Sequence, residues 1–135
     1  MLRTVDNPKY KVGQVWTYRT RPYEAGSVLT IVKTEVDDKL GSIIHIHLQG
    51  LRIKNPQAEL GFTSFATHLP CSEEAIDQSV TELRQASGLF PGYEEGHQEW
   101  RKAFDAGNAG IWSIPVAEMV AAMETVLNQP QTASE

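Results

Sequence analysis

Residues 43–53 read Ile43-Ile44-His45-Ile46-His47-Leu48-Gln49-Gly50-Leu51-Arg52-Ile53. Apolar and polar side chains alternate with a period of two, the signature of a strand whose faces meet different surroundings. Ile44, Ile46 and Leu48 mark the core face. His45 and His47 take the other face, expected to be the wetter one, and Gly50 suits a bulge.

Upstream, Val12–Thr20 alternates Trp16 and Tyr18 against Val15 and Thr17, and Ser27–Val36 is rich in β-branched residues. The loop 21–26 separates these two strands, and Asp37-Asp38-Lys39-Leu40-Gly41 turns the second into the third. Downstream, Lys54–Gly61 is a polar loop with Asn55-Pro56, and Phe62–His68 is a fourth strand. Such short connections favour antiparallel neighbours.

The second half changes period. Ser72 is an N-cap followed by Glu73 and Glu74, whose charges complement a helix dipole. Ile76, Val80 and Leu83 follow at helical spacing, so a helix is expected from Ser72 to a cap at Gly88, with Leu89 folding back. A second helix runs over Tyr93–Ala106 with a Tyr93, His97, Trp100 and Phe104 stripe, closed by Gly107. Gly110–Ile114 reads as a short fifth strand. Pro115 opens a third helix carrying Val116, Met119, Val120, Met123, Val126 and Leu127. Strands followed by helices predict an α+β fold: an antiparallel sheet of four to five strands packed by three C-terminal helices. One domain is expected over residues 1–135, with 1–9 and 129–135 flexible.

Composition narrows the function. Apolar residues form 41% and charged residues 21% of 135, an ordinary globular balance. Twelve basic against 17 acidic residues leave a net charge of −5, which disfavours nucleic acid, whose phosphates need a basic face. No apolar run reaches the ~18 residues of a membrane span. The N-terminus lacks the apolar core of a signal peptide, and a single cysteine cannot staple the fold, which together point to the cytoplasm.

Candidate chemistry is sparse. Thr67-His68-Leu69-Pro70-Cys71-Ser72-Glu73-Glu74-Ala75 sets a thiol three residues from an imidazole. If Ser72 is the N-cap, however, Cys71 and Ile76 hold the positions of a hydrophobic staple, and the two glutamates disfavour a thiolate. A buried structural cysteine is expected. His45 and His47 lie about 7 Å apart on one face, a spacing metal sites use, and His68 on the next strand would supply a third ligand. No Asp or Glu with ligand spacing lies beside them in sequence. Glu94-Glu95-Gly96-His97 is half of a di-iron carboxylate motif without its second copy, so His97 reads as a hydrogen-bonded, partly buried histidine. Gly88, Gly92 and Gly96 lack the Lys-Ser/Thr of a phosphate loop. Arg19–Glu24 joins two arginines, Tyr23 and a carboxylate at a hairpin tip, a composition common at interfaces.

The run Lys11–Pro22 with Leu29–Lys33, continued by Phe90–Ile114, resembles a group of short uncharacterised bacterial proteins. The resemblance implies a stand-alone, single-domain bacterial protein and transfers no site residue. Catalytic residues, metal ligands and cofactors are assigned to none. The function expected from the residues is a non-enzymatic binding module for a protein partner. Arg21, Tyr23, His45 and His47 form its partner-binding surface. The alternative is an enzyme or metal-binding protein using the sheet-face histidines.

Overall fold

The computed structural model describes residues 2–85 and 92–129. Its centre is the stretch quoted above, a strand running over Gly41–Lys54 (β4). Around it lie Arg3–Thr4 (β1), Val15–Tyr18 (β2), Val28–Asp37 (β3), Phe62–Ser72 (β5) and Val80–Gln85 (β6). These six form one antiparallel sheet in the order β5-β4-β3-β2-β6, with β1 paired to β3. Helices span Glu73–Asp77 (α1), Tyr93–Asp105 (α2) and Val116–Leu127 (α3). The fold is α+β, with the sheet built mainly by the first half of the chain and the longer helices following it. Among the described residues no helix is long and apolar enough to cross a membrane.

One face of β4 matches its sequence pattern. Ile44, Ile46 and Leu48 are fully buried and share a core with Leu29, Ile31, Leu69, Cys71 and Ile76, together with Val116, Met119 and Val120 of α3. The opposite face departs from the expectation. His45 is wholly buried and His47 nearly so, making residues 43–48 buried on both faces. The cause is α2, which does not join α3 on the apolar side but covers the polar one. Three layers result, with the sheet in the middle.

The first helix is shorter than its stripe suggests. Ser72 does cap it, its Oγ accepting from Ala75 N at 3.1 Å. The helix stops after one turn, and Val80–Gln85 is β6 rather than helix, correcting the helix expected to Gly88. Two forces decide this. Ser79 is fully held, donating its Oγ to Ala75 O and accepting from Val116 N, which diverts the chain. Beyond it, β2 needs a neighbour on its outer edge, and Val80 and Thr81 are β-branched. Thr17 and Thr81 hydroxyls meet at 2.6 Å across that pair. The caps expected at Gly88 and Leu89 lie outside the described residues, as does most of the tail.

The fourth strand runs four residues further than expected, through Pro70 to Ser72. A proline fits there because β5 is an edge strand. Gly110–Ile114 contributes only a single parallel bridge, Trp112 to Cys71, in place of a full fifth strand. Arg21 is also more deeply placed than a solvated tip allows. Its side chain is 10% exposed and binds buried Glu24 and, at 2.8 Å, Glu124 of α3. Those carboxylates also accept from the backbone of Arg52 and Lys54, tying the loop and α3 to β4. Tyr23 stays open to solvent, its ring under the Arg21 guanidinium.

Candidate functional site

Four ionisable side chains from four elements meet between the sheet and α2. Glu35 is on β3, His45 on β4, His68 on β5 and His97 on α2. Strand register explains three of them. Lys33 pairs with His45 and Glu35 with Ile43, so Glu35 shares the His45 face one step diagonally away. His45 pairs with Pro70, and His68 sits two residues further along the same face of β5. The fourth arrives on a helix that approaches closely. A Cβ at Gly96 would lie 3.0 Å from the His68 Cβ, so only glycine lets α2 sit this near.

Glu35 Oε1 accepts from His45 Nε2 at 2.6 Å and from His97 Nε2 at 2.9 Å. The other nitrogen of His45, Nδ1, lies 2.7 Å from His68 Nε2, with the two rings stacked. Trp100 closes the cluster, its ring edge-on to His45 with centroids 5.0 Å apart and its Nε1 donating to Gly110 O. Phe104 stacks beneath Trp100. Glu35 is 1% exposed, and its Oε2 accepts no hydrogen bond from the described residues. The nearest cation to that oxygen, Arg101 Nη1, stands 3.9 Å away and is shared with Asp105. Arg101 also lines an open cleft of about 710 Å³ between the α2 C-terminal end and the turn at Asp37–Leu40.

The electrostatics are those of a buried carboxylate held by imidazole N–H groups. Burial pushes the Glu35 carboxyl up, but the His45 and His97 hydrogen bonds outweigh it and bring it to about 2. Burial lowers His45 despite the attraction of Glu35. It lowers His68 to about 4, helped by its histidine neighbours. Glu35 is therefore ionised and His45 and His68 neutral near neutrality, with N–H groups donating to the carboxylate. Two imidazole nitrogens and a carboxylate oxygen, all within 4.8 Å of one another, are also a ligand set for a divalent transition ion. Metal bonds of about 2.0–2.1 Å would hold such donors about 3.0–3.4 Å apart, so an ion requires Glu35 to draw back and the two imidazole nitrogens, in a set that now spans up to 4.8 Å, to close by more than about 1 Å.

The sequence-level candidates divide. His45 joins the cluster and His68 touches it. His47 does not, its ring instead lying parallel to Phe65 with centroids 6.5 Å apart. Glu94 is also absent from it, its Oε1 accepting from Gly92 N at the start of α2. Cys71 points to the opposite face from His68, buried beside Met119 Sδ, and burial raises its thiol. The dyad suggested by their spacing is thus split by strand alternation, and the thiol is structural. Glu35 was missed altogether. Its one signal is a carboxylate inside a strand rich in β-branched residues, two residues from Lys33, the cross-strand partner of His45. Comparison with protein-family models, with curated proteins and with solved structures finds no match for this chain.

Proposed function

We propose that this chain is a metal-binding protein whose Glu35, His45 and His97 take one divalent first-row transition ion, zinc being the simplest. The carrying observation is the convergence of these three donors from three separate elements, with a buried carboxylate oxygen left without a hydrogen bond. Leaving such an oxygen bare costs about 1–3 kcal/mol, which a cation held by both carboxylate oxygens would recover. Three protein ligands leave further coordination positions open, as sites that bind or activate a small ligand require. The test is metal analysis of protein purified without a histidine tag, followed by zinc titration. One equivalent is expected, and His97→Ala or Glu35→Gln should each weaken it on the order of 100-fold or more. Uptake that neither substitution alters would overturn the reading.

A second reading, a cytoplasmic binding module for a protein partner, is supported by a separate patch. Leu60, Phe62 and Phe65 are exposed on or beside the edge strand β5. Arg52 covers Phe62 as Arg21 covers Tyr23, and the two arginines are joined by a 3.4 Å hydrogen bond to Arg52 O. Aromatic and arginine side chains of this kind anchor interfaces. Of the residues first expected to meet a partner, Tyr23 is exposed and supports this reading, whereas His45 is buried. A cross-link to a partner that Tyr23→Ala with Phe62→Ser abolishes, zinc affinity being unchanged, supports this reading. A cross-link indifferent to both substitutions counts against it.

A further inference from the structure

The metal-binding reading leaves His68 without a role, yet its Nε2 sits 2.7 Å from the one His45 nitrogen that does not face Glu35. Proton accounting shows what that contact must do. An ionised carboxylate only accepts, so His45 Nε2 carries the ring proton when it donates to Glu35 at 2.6 Å. His45 Nδ1 is then an acceptor, and His68 Nε2–H is its donor. To bind an ion through Nε2, His45 must present a bare lone pair there. Its single proton then belongs on Nδ1, and the same 2.7 Å contact must reverse, with His68 Nε2 accepting and the His68 proton on Nδ1. Each ring keeps one proton throughout and only its position changes.

A neutral histidine can take either direction. A backbone carbonyl could only accept, and a lysine could only donate. The contact is also held rigidly. The His45 and His68 rings stack with centroids 4.9 Å apart, and α2 closes over the His68 Cβ at Gly96. We propose that His68 is a positioning residue of the Glu35–His45–His97 site, reversing its hydrogen bond to His45 so that His45 Nε2 can ligate a divalent cation. This inference rests on the metal-binding reading. It assigns the outer partner that ligating histidines ordinarily find in a carboxylate or carbonyl to a second imidazole.

The experiment compares zinc affinity of the wild-type chain, His68→Leu and His68→Gln, with ¹⁵N NMR locating the His45 proton before and after zinc. Glutamine carries both a donor and an acceptor and can serve in either direction, whereas leucine can only fill the space. The expected result is a 10- to 100-fold weakening in His68→Leu, recovery of most of it in His68→Gln, and a His45 proton that moves from Nε2 to Nδ1 on zinc binding. If His68→Leu binds zinc as tightly as wild type, this inference falls and the metal site stands, whereas a His45 proton that stays on Nε2 with zinc bound would remove His45 from the ligand set and overturn both. Loss in His68→Leu as complete as in His97→Ala, with no rescue by glutamine, would make His68 a ligand and overturn it too. A wild-type chain that binds no zinc would bring down the metal site itself, and this inference with it.

Discussion

The two faces of the sheet are packed by the same kind of element and held by different physics. Beneath α3 lie Ile44, Ile46, Leu48, Leu69 and Cys71, a surface with no charge on it. Beneath α2 lie Glu35 and His45, buried to a similar degree, with half-buried His68 beside them. The first face gains stability simply from area removed from water, at about 25 cal/mol per Å². The second must offset the loss of hydration with hydrogen bonds, and such clusters contribute little net stability. A helix docked on polar groups at that cost is held in one register, because only one register satisfies Glu35. The lesson is that the α3 face keeps the chain folded, whereas the α2 face fixes which side chains meet.

Substitution should separate the two. Ile46→Ala opens a cavity in a fully buried position and is expected to cost about 2–5 kcal/mol, read by urea denaturation, with zinc affinity intact in the folded fraction. Glu35→Leu leaves two imidazole N–H groups without their acceptor and should cost less, about 1–3 kcal/mol, while abolishing zinc binding. An Ile46→Ala chain that loses zinc affinity at full stability would erase the distinction between the faces.

Acid sharpens it further. His68 is held near 4 against an ordinary 6.5, and His45 is lowered too, so the unfolded chain takes up protons first as pH falls. The stability that neutral His68 contributes is whole above about pH 6.5 and lost between about 6.5 and 4, and His45 acts in the same direction. Glu35, held at about 2 against 4.5, contributes stability that is present above about 4.5 and lost towards 2. Two acid limbs are therefore expected in a stability–pH curve, the lower one missing from Glu35→Leu. Ile46→Ala should shift the whole curve without changing its shape.

The smallest effect on stability belongs to Gly96→Ala. Alanine favours the helix by about 1 kcal/mol, but its Cβ would press on His68 at 3.0 Å and push α2 outwards. The net change should stay within about 1 kcal/mol, whereas the His97 to Glu35 contact should lengthen. An altered His97 chemical shift and weaker zinc binding would report it, and an unchanged His97 signal would show that α2 has room to spare.

Much of the frame was legible from local pattern. Alternation in residues 43–53 placed Ile44, Ile46 and Leu48 on a core face. Ser72 capped a helix where its side-chain oxygen and the following glutamates required one. The Tyr93 to Phe104 stripe and Pro115 located α2 and α3, because side-chain period and capping chemistry act over a few residues and leave their mark in the sequence. The stripe also marked His97 as partly buried and hydrogen-bonded. What periodicity could not carry was the partner of each element. Val80 and Leu83 satisfy a helical stripe, and only the open edge of β2 turns them into a strand. Nor does a stripe say which side of a sheet it will cover. Here α2 crosses to the histidine face, burying His45 where alternation implied water. Glu35, 62 residues from His97 and 10 from His45, becomes part of a site only through strand register and helix docking. Such long-range contacts depend on the shape of the whole chain, so tertiary structure decided the site that local sequence left as four scattered side chains.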